Sequence, residues 1–294
     1  MKILVTGADG QLARSLVERV QGRSGLELVA VGRPELDLAV PGSAADAIEA
    51  IRPQLVINAA AYTAVDKAED DPGLAFRINA EAAGEVAAAA ALVDAAVIQI
   101  STDYVFDGRS NEPYAEEAPT SPLGVYGRSK LEGEDRVRAA NPRHAIVRTA
   151  WVYSPFGSNF VKTMMAAART RDVLNVVEDQ RGSPTSALDL ADGLLQMAET
   201  WNDAPDRGLG ATYHLAGSGQ TSWFGLAECV MSECRKRSLP AAKVLPIATS
   251  DWPTRAARPP NSVLDSHKFE QEFDFTMPEW RQSVAVVVDR LAAG

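Results

Sequence analysis

Short apolar runs alternate with amphipathic stretches through the first half of the chain. Residues 3–6 form a compact β run, and Leu12, Leu16, Val17 and Val20 then share one side of a helix. Residues 26–31, 55–58, 97–102 and 145–149 read as further buried strands, with 35–38 as a short additional one. Helices are predicted from about 44 to 51, ended by Pro53, and from about 72 to 91, where alanine supplies the propensity. Between strand and helix, residues 62–71 are polar and irregular, and Gly, Asn and Pro make 107–122 a loop. Regular β-α-β-α alternation predicts a parallel sheet with right-handed crossovers.

After Trp151 the pattern loosens. A helix over 160–170, a strand over 173–177, a turn over 179–185, a helix over 187–201 and a short strand over 211–215 are expected, followed by helices and the Pro-rich stretch 251–260. The fold class is therefore α/β: a Rossmann-type doubly wound parallel sheet with a smaller, interleaved C-terminal unit. Residues 1–155 plus about 186–215 form the expected NAD(P)-binding domain, and about 156–185 and 216–294 the substrate-binding domain.

The first strand ends in Gly7-Ala8-Asp9-Gly10-Gln11-Leu12-Ala13 and runs into a helix. Strand, glycine turn and helix are the context a dinucleotide fingerprint requires. Gly7 permits the tight turn, Gly10 lets backbone approach a pyrophosphate, and the helix start offers free N–H groups. Here the spacing is G-x-x-G-x-x-A, with Ala13 in place of the last glycine. The second strand ends Val31-Gly32-Arg33, without the acid that would bind a ribose 2′-hydroxyl, so Arg33 points to a 2′-phosphate and to NADPH in preference to NADH. Small residues Ala59, Ala60 and Ala61 at the end of a later strand would let a cofactor lie against the backbone.

Composition narrows the partners. The chain has 294 residues, 46% hydrophobic and 23% charged, an ordinary balance that allows a sizeable core. A net charge of −10 disfavours nucleic acid, and no apolar run reaches the length of a membrane span. Cys229 and Cys234 lack a neighbouring Cys or His cluster, and His144, His214 and His267 are scattered, so no metal site is expected. The N-terminus enters a strand directly without a signal-peptide pattern, and two unclustered cysteines fit a reducing compartment; a cytoplasmic location is the expectation.

The candidate chemistry lies at 101–130. Thr102 ends a buried strand, where doubly wound sheets place catalytic groups. Tyr126 and Lys130 are four residues apart, on one face of a helix. A Lys ammonium near a phenol favours the phenolate, so Tyr126 with Lys130 and the Thr102 hydroxyl could move a proton to or from a carbinol or ketone oxygen.

These residues resemble an extended short-chain dehydrogenase/reductase, and longer stretches resemble the dTDP-4-dehydrorhamnose reductase family. The likeness is carried by residues 60–69, 101–108, 148–153 and 179–185, and by Arg258-Pro259 through Leu264. It implies NAD(P)H-dependent reduction of the 4-keto group of dTDP-6-deoxy-L-lyxo-4-hexulose to dTDP-L-rhamnose. By this resemblance Tyr126 is the proton donor, Lys130 tunes it and holds the nicotinamide ribose, and Thr102 binds the carbonyl. Asp103, Tyr104 and Trp151 would line the substrate. Gly10, Gln11, Leu12, Asp37, Leu38, Ala61, Tyr62 and Thr63 would line the cofactor. Some relatives dimerise through a magnesium site; Ser15 and Leu188 stand at the corresponding positions here, so neither that metal nor that dimer is expected, and a monomer or weak homodimer is. Two rivals remain: an epimerase or dehydratase acting on another nucleotide sugar, and a non-catalytic NADPH-binding subunit. Tyr104 rather than a glutamate follows Asp103, which argues against the dehydratase, and retention of both Tyr126 and Lys130 argues against the non-catalytic reading.

Overall fold

A computed structural model describes residues 1–293. Lys2–Thr6 (β1) leads into Gln11–Arg19 (α1), followed by Glu27–Val31 (β2), Ser43–Ile51 (α2), Leu55–Asn58 (β3), Val65–Asp70 (α3), Pro72–Phe76 (α4), Ala82–Leu92 (α5), Ala96–Thr102 (β4), Val125–Ala140 (α6) and His144–Thr149 (β5). The second half contributes Val152–Tyr153 (β6), Phe160–Ala167 (α7), Val173–Val177 (β7), Arg181–Gly182 (β8), Thr185–Ser186 (β9), Ala187–Asp203 (α8), Ala211–His214 (β10), Thr221–Ser222 (β11), Trp223–Lys236 (α9), Lys243–Ile247 (β12), His267–Phe273 (α10) and Trp280–Ala293 (α11).

Six strands form the central sheet in the order β10-β5-β4-β3-β1-β2, and every pairing is parallel. Strand order reverses beside β1, which pairs with β2 on one side and β3 on the other. A crevice therefore opens at the C-terminal ends of β1 and β3, where doubly wound folds hold a dinucleotide. One sheet face is covered by α1, α8 and α10 through Leu12, Leu16, Leu190, Leu194 and Phe269. The other is covered by α2, α5 and α6 through Ile48, Val86, Ala87 and Val137. The alanines of α5 are packing residues: Ala82, Ala83, Ala87 and Ala90 are buried, and their small side chains let the helix lie close to the sheet.

A second core lies beyond the sheet. Leu174 and Val176 of β7 pack with Leu226 and Val230 of α9 and with Trp280, Val284 and Val287 of α11. The predicted strand over 173–177 forms, but it pairs in parallel with β12 outside the main sheet. The short strand over 211–215 is β10, the sheet's outer strand beside β5.

Three local expectations change. Residues 35–38 are a turn, not a strand, and β2 is the sheet edge. Their hydrogen bonds stay local: Leu36 N–H donates to Gly32 O at 2.9 Å and Ala39 N–H to the Asp37 carboxylate at 3.0 Å. The alternating Leu36 and Leu38 imitate a strand because both bury in the core beneath α2 and α5. Residues 62–71 are not wholly irregular, since α3 forms there; its N-cap, Ala64, has no capping side chain, so no start signal was legible. The single helix expected over 72–91 is interrupted by a π-helical turn at Arg77–Glu81.

Candidate active site

The glycine turn after β1 has the conformation its sequence requires. Gly7 sits at φ 78°, and a Cβ there would lie 3.1 Å from Ala60. Its N–H and that of Ala8 donate to Val31 O at 2.8 and 3.2 Å, joining the turn to the end of β2. Gly10 begins α1 without a capping side chain, and the first intrahelical donor to it is Arg14 N–H. The amides of Gln11, Leu12 and Ala13 are thus free at the positive end of a helix dipole, which suits a pyrophosphate. Leu12 could offer a ligand only its backbone, because its side chain is buried in the core. Gln11 turns its side chain away from that role: Oε1 accepts from Ser154 Oγ at 2.9 Å and from Asn159 Nδ2 at 2.8 Å.

Arg33 is exposed just past the end of β2. Asp37 and Leu38 lie in the following turn, with Leu38 buried. Ala59, Ala60 and Ala61 follow β3, and Ala60 N–H donates to Thr6 Oγ1 at 3.0 Å. Beneath them lies a buried polar chain that sequence reading did not identify. Thr6 Oγ1 donates to Asn58 Oδ1, and Asn58 Nδ2 donates to Gln99 Oε1, each at 2.7 Å. This polar chain ties the ends of β1 and β3 to the middle of β4, where the β3–β4 ladder stops.

Tyr62 N–H donates to Asn79 Oδ1 at 2.8 Å, and Asn79 Nδ2 donates to Ser129 Oγ at 3.0 Å. Asn79 comes from the π-helical turn, a distortion that often marks functional sites. It fastens the Tyr62–Thr63 loop to α6, the helix that carries Tyr126 and Lys130. The Tyr62 and Tyr126 rings pack against one small cluster built on Ala68, Ala75 and Val125.

Tyr126 does not have the lowered pKa expected from Lys130. Burial pushes its phenol up to about 12, against a hydrogen bond with Thr102 that lowers it, while nearby Asp103 adds to the rise. Lys130 is buried and donates from Nζ to Ile100 O at 2.6 Å. Desolvation brings its pKa down to about 8, opposed by the Glu134 carboxylate. Glu134 was missed from sequence, although Tyr126, Lys130 and Glu134 recur every four residues along one helix face. It is fully buried and receives Ser101 Oγ at 2.6 Å and Arg148 at 2.9 and 2.7 Å through two nitrogens.

Thr102 caps a short 3₁₀ turn, accepting from Tyr104 N–H at 3.2 Å and donating to Asp103 Oδ1 at 3.0 Å. Asp103 is buried, and its Oδ2 has no hydrogen-bond partner among the described residues. Burial raises its pKa from 3.8 to about 6, against hydrogen bonds from Ser262 and Thr102. Between those values the folded state holds a proton that the unfolded chain has released, so this contribution to stability falls as pH rises. Urea midpoints at pH 4.5 and 7 should therefore show Asp103→Asn gaining on the wild type as pH increases; an equal gap at both values would contradict this. Tyr104 stacks edge-on with Tyr126, ring centroids 5.6 Å apart, and Arg258 stands 6.0 Å over the Tyr104 ring.

Thr149 pairs in register with Thr102, so Trp151 emerges two residues beyond the same sheet end. Trp151 lies flat on Trp223, centroids 3.6 Å apart, forming an aromatic wall between the sheet and the second core. The sequence-selected residues thus divide between a cradle at the strand crossover and a polar cluster at the ends of β4 and β5. Cys229 and Cys234 lie in α9, where burial raises both thiol pKa values, that of Cys229 to about 11.

Comparison with known proteins agrees with this fold. A family model described as the RmlD substrate binding domain matches residues 1–293. A dTDP-4-dehydrorhamnose reductase from Sinorhizobium fredii is 44% identical over 288 residues, covering 98% of this chain and 97% of that protein. The chain belongs to the dTDP-4-dehydrorhamnose reductase family. A crystal structure of such a reductase from Clostridium acetobutylicum superposes with a TM-score of 0.91 at 40% identity, covering 99% of each chain. Another, from Bacillus anthracis in complex with NADP, gives 0.90 at 34% identity, covering 98% of this chain and 99% of that one. The protein is an oxidoreductase on this relationship. None of its helices, among the described residues, is long and apolar enough to cross a membrane.

Proposed function

We propose that this reductase uses NADPH to reduce the 4-keto group of dTDP-6-deoxy-L-lyxo-4-hexulose, giving dTDP-L-rhamnose. The observation that carries the reading is Tyr126 beside Thr102, with Lys130 four residues along the same helix and buried against Ile100 O of β4. Residues 1–155 with about 186–215 hold the cofactor, and about 156–185 with 216–294 hold the nucleotide sugar. The α10 helix is an exception to a clean division, because it packs on the sheet through Phe269 and Phe273.

In this reading the amides of Gln11 and Leu12 receive the pyrophosphate, Gly10 lets the backbone approach it, and Asp37 and Leu38 border the adenosine end. Ala59, Ala60, Ala61, Tyr62 and Thr63 line the dinucleotide along the crevice. Bound nicotinamide supplies the hydride. Tyr126, kept protonated at neutral pH by its high pKa, gives its phenolic proton to the oxygen that becomes the 4-hydroxyl. Thr102 orients the carbonyl, and Lys130 steadies the phenolate through its positive charge and holds the nicotinamide ribose. The unpartnered Asp103 Oδ2 offers an acceptor for a sugar hydroxyl, and Tyr104 and Trp151 pack against the sugar and its nucleotide. The relative from Bacillus anthracis crystallised with NADP, which supports the cofactor assignment.

Turnover of NADPH with this substrate, and identification of dTDP-L-rhamnose as product, tests the reading; absence of turnover despite NADPH binding would redirect it to another 4-keto sugar. The cofactor preference has its own test. Arg33→Ala should raise the KM for NADPH about tenfold or more, the loss of one charge-assisted hydrogen bond, with little change for NADH. Equal changes for both cofactors would remove Arg33 from 2′-phosphate recognition.

A further inference from the structure

The catalytic helix has no cap of its own. Gly124 occupies the N-cap of α6 and brings no side chain, so the first N–H groups need partners from elsewhere. One comes from α3, fifty-six residues earlier. Glu69 Oε1 accepts from Val125 N–H at 2.7 Å, across the gap between the cofactor-side loop and α6. The glycine makes this approach possible: a Cβ at 124 would stand 2.7 Å from the same carboxylate oxygen. Tyr126 is the next residue after the anchored amide.

The same short helix also holds a segment from the later part of the chain, residues 255–258. Asp66 accepts from Ala256 N–H at 3.0 Å and pairs with Arg258 at 2.6 Å. Asp70 pairs with Arg255. Arg258 in turn approaches the Tyr104 ring, which packs on Tyr126. The helix has a single buried side chain, Ala68, while its acids reach two neighbouring elements. A six-residue helix with so little apolar burial gains its position from these contacts rather than from its own core.

We propose that Glu69 is a positioning residue for Tyr126, fixing the start of α6 so that the phenol faces Thr102. A carboxylate at a helix N-terminus also favours the helix dipole. The inference rests on the proton-donor role of Tyr126, and the experiment separates the two. Glu69→Ala, Glu69→Gln and Tyr126→Phe are compared by kcat, by KM for NADPH and for substrate, and by the solvent deuterium isotope effect on kcat.

Displacing a catalytic group by about 1 Å can cost up to about 100-fold, so Glu69→Ala should lower kcat about tenfold, with both KM values nearly unchanged. Its isotope effect should rise, because proton delivery becomes the slower step. Glu69→Gln retains an oxygen acceptor and should recover most of the kcat. Wild-type kcat in Glu69→Ala, alongside an inactive Tyr126→Phe, would overturn the Glu69 role and leave the proton donor standing. An active Tyr126→Phe would overturn the proton donor itself, and this inference with it. A lowered kcat with an unchanged isotope effect, or equal losses in Ala and Gln, would assign Glu69 to folding alone and also overturn the proposal.

Discussion

Tyr126→Phe is expected to lower kcat by about 10²–10⁴-fold, the usual contribution of a positioned general acid. The substitution removes one oxygen and keeps the ring that packs on Tyr104 and on the cluster around Val125. NADPH affinity should therefore change little, and fluorescence titration of the cofactor would confirm an intact site. The loss falls on kcat because the proton is needed only as charge develops on the carbonyl oxygen. An alkoxide is more basic than a phenolate, so a phenol held at about 12 can still deliver its proton downhill. The pH profile follows from the same state: Tyr126 remains protonated through neutrality, and activity declines on the alkaline side as donors are lost. Turnover within tenfold of wild type would place the proton source elsewhere.

The expectation for Tyr126 shows where sequence reading stops. The i, i+4 spacing put Tyr126 and Lys130 on one helix, and α6 carries both. That spacing could not give the sign of the tyrosine's shift, because that depends on how much water the folded chain excludes. Burial sets the direction, with Thr102 opposing it, while the Lys130 ammonium is engaged by Ile100 O. The strands and the glycine turn were legible for a related reason. Their signals are local, whether alternating or continuous apolar runs or a residue type demanded by backbone geometry. Glu69, Asn79 and Glu134 were not legible as site residues, since each acts on a distant backbone or side chain that only the fold brings near. Residues 35–38 mark the opposite failure, in which a period-two pattern arose from two leucines buried out of a turn. The partner of β7 was hidden as well, because β12 pairs with it across a long intervening stretch and outside the main sheet.

Arg148→Met should destabilise the protein by about 3–5 kcal/mol, the cost of leaving a buried charge without its partner. Glu134 has no exposed side-chain surface, and Arg148 is 4% exposed. Both carboxylate oxygens accept from Arg148, and Ser101 and Arg138 supply the other donors. Ser101 and Arg138 cannot replace the bidentate pair, so the single variant should lose most in denaturant midpoint. The double variant Arg148→Met, Glu134→Leu removes both charges and should recover a large part of that loss, as buried pairs often exchange for apolar side chains at little net cost. Its catalysis should not recover in parallel. The Glu134 carboxylate raises the pKa of Lys130 against desolvation, and without it the lysine should lose its proton at lower pH. Activity in the double variant should therefore fall at a lower pH on its alkaline limb than in the wild type. Denaturation curves and pH–rate profiles on the same three proteins separate the two roles. Recovery of stability with an unchanged alkaline limb would limit Glu134 to holding the sheet against α6, whereas a shifted limb ties the buried pair to the charge of Lys130.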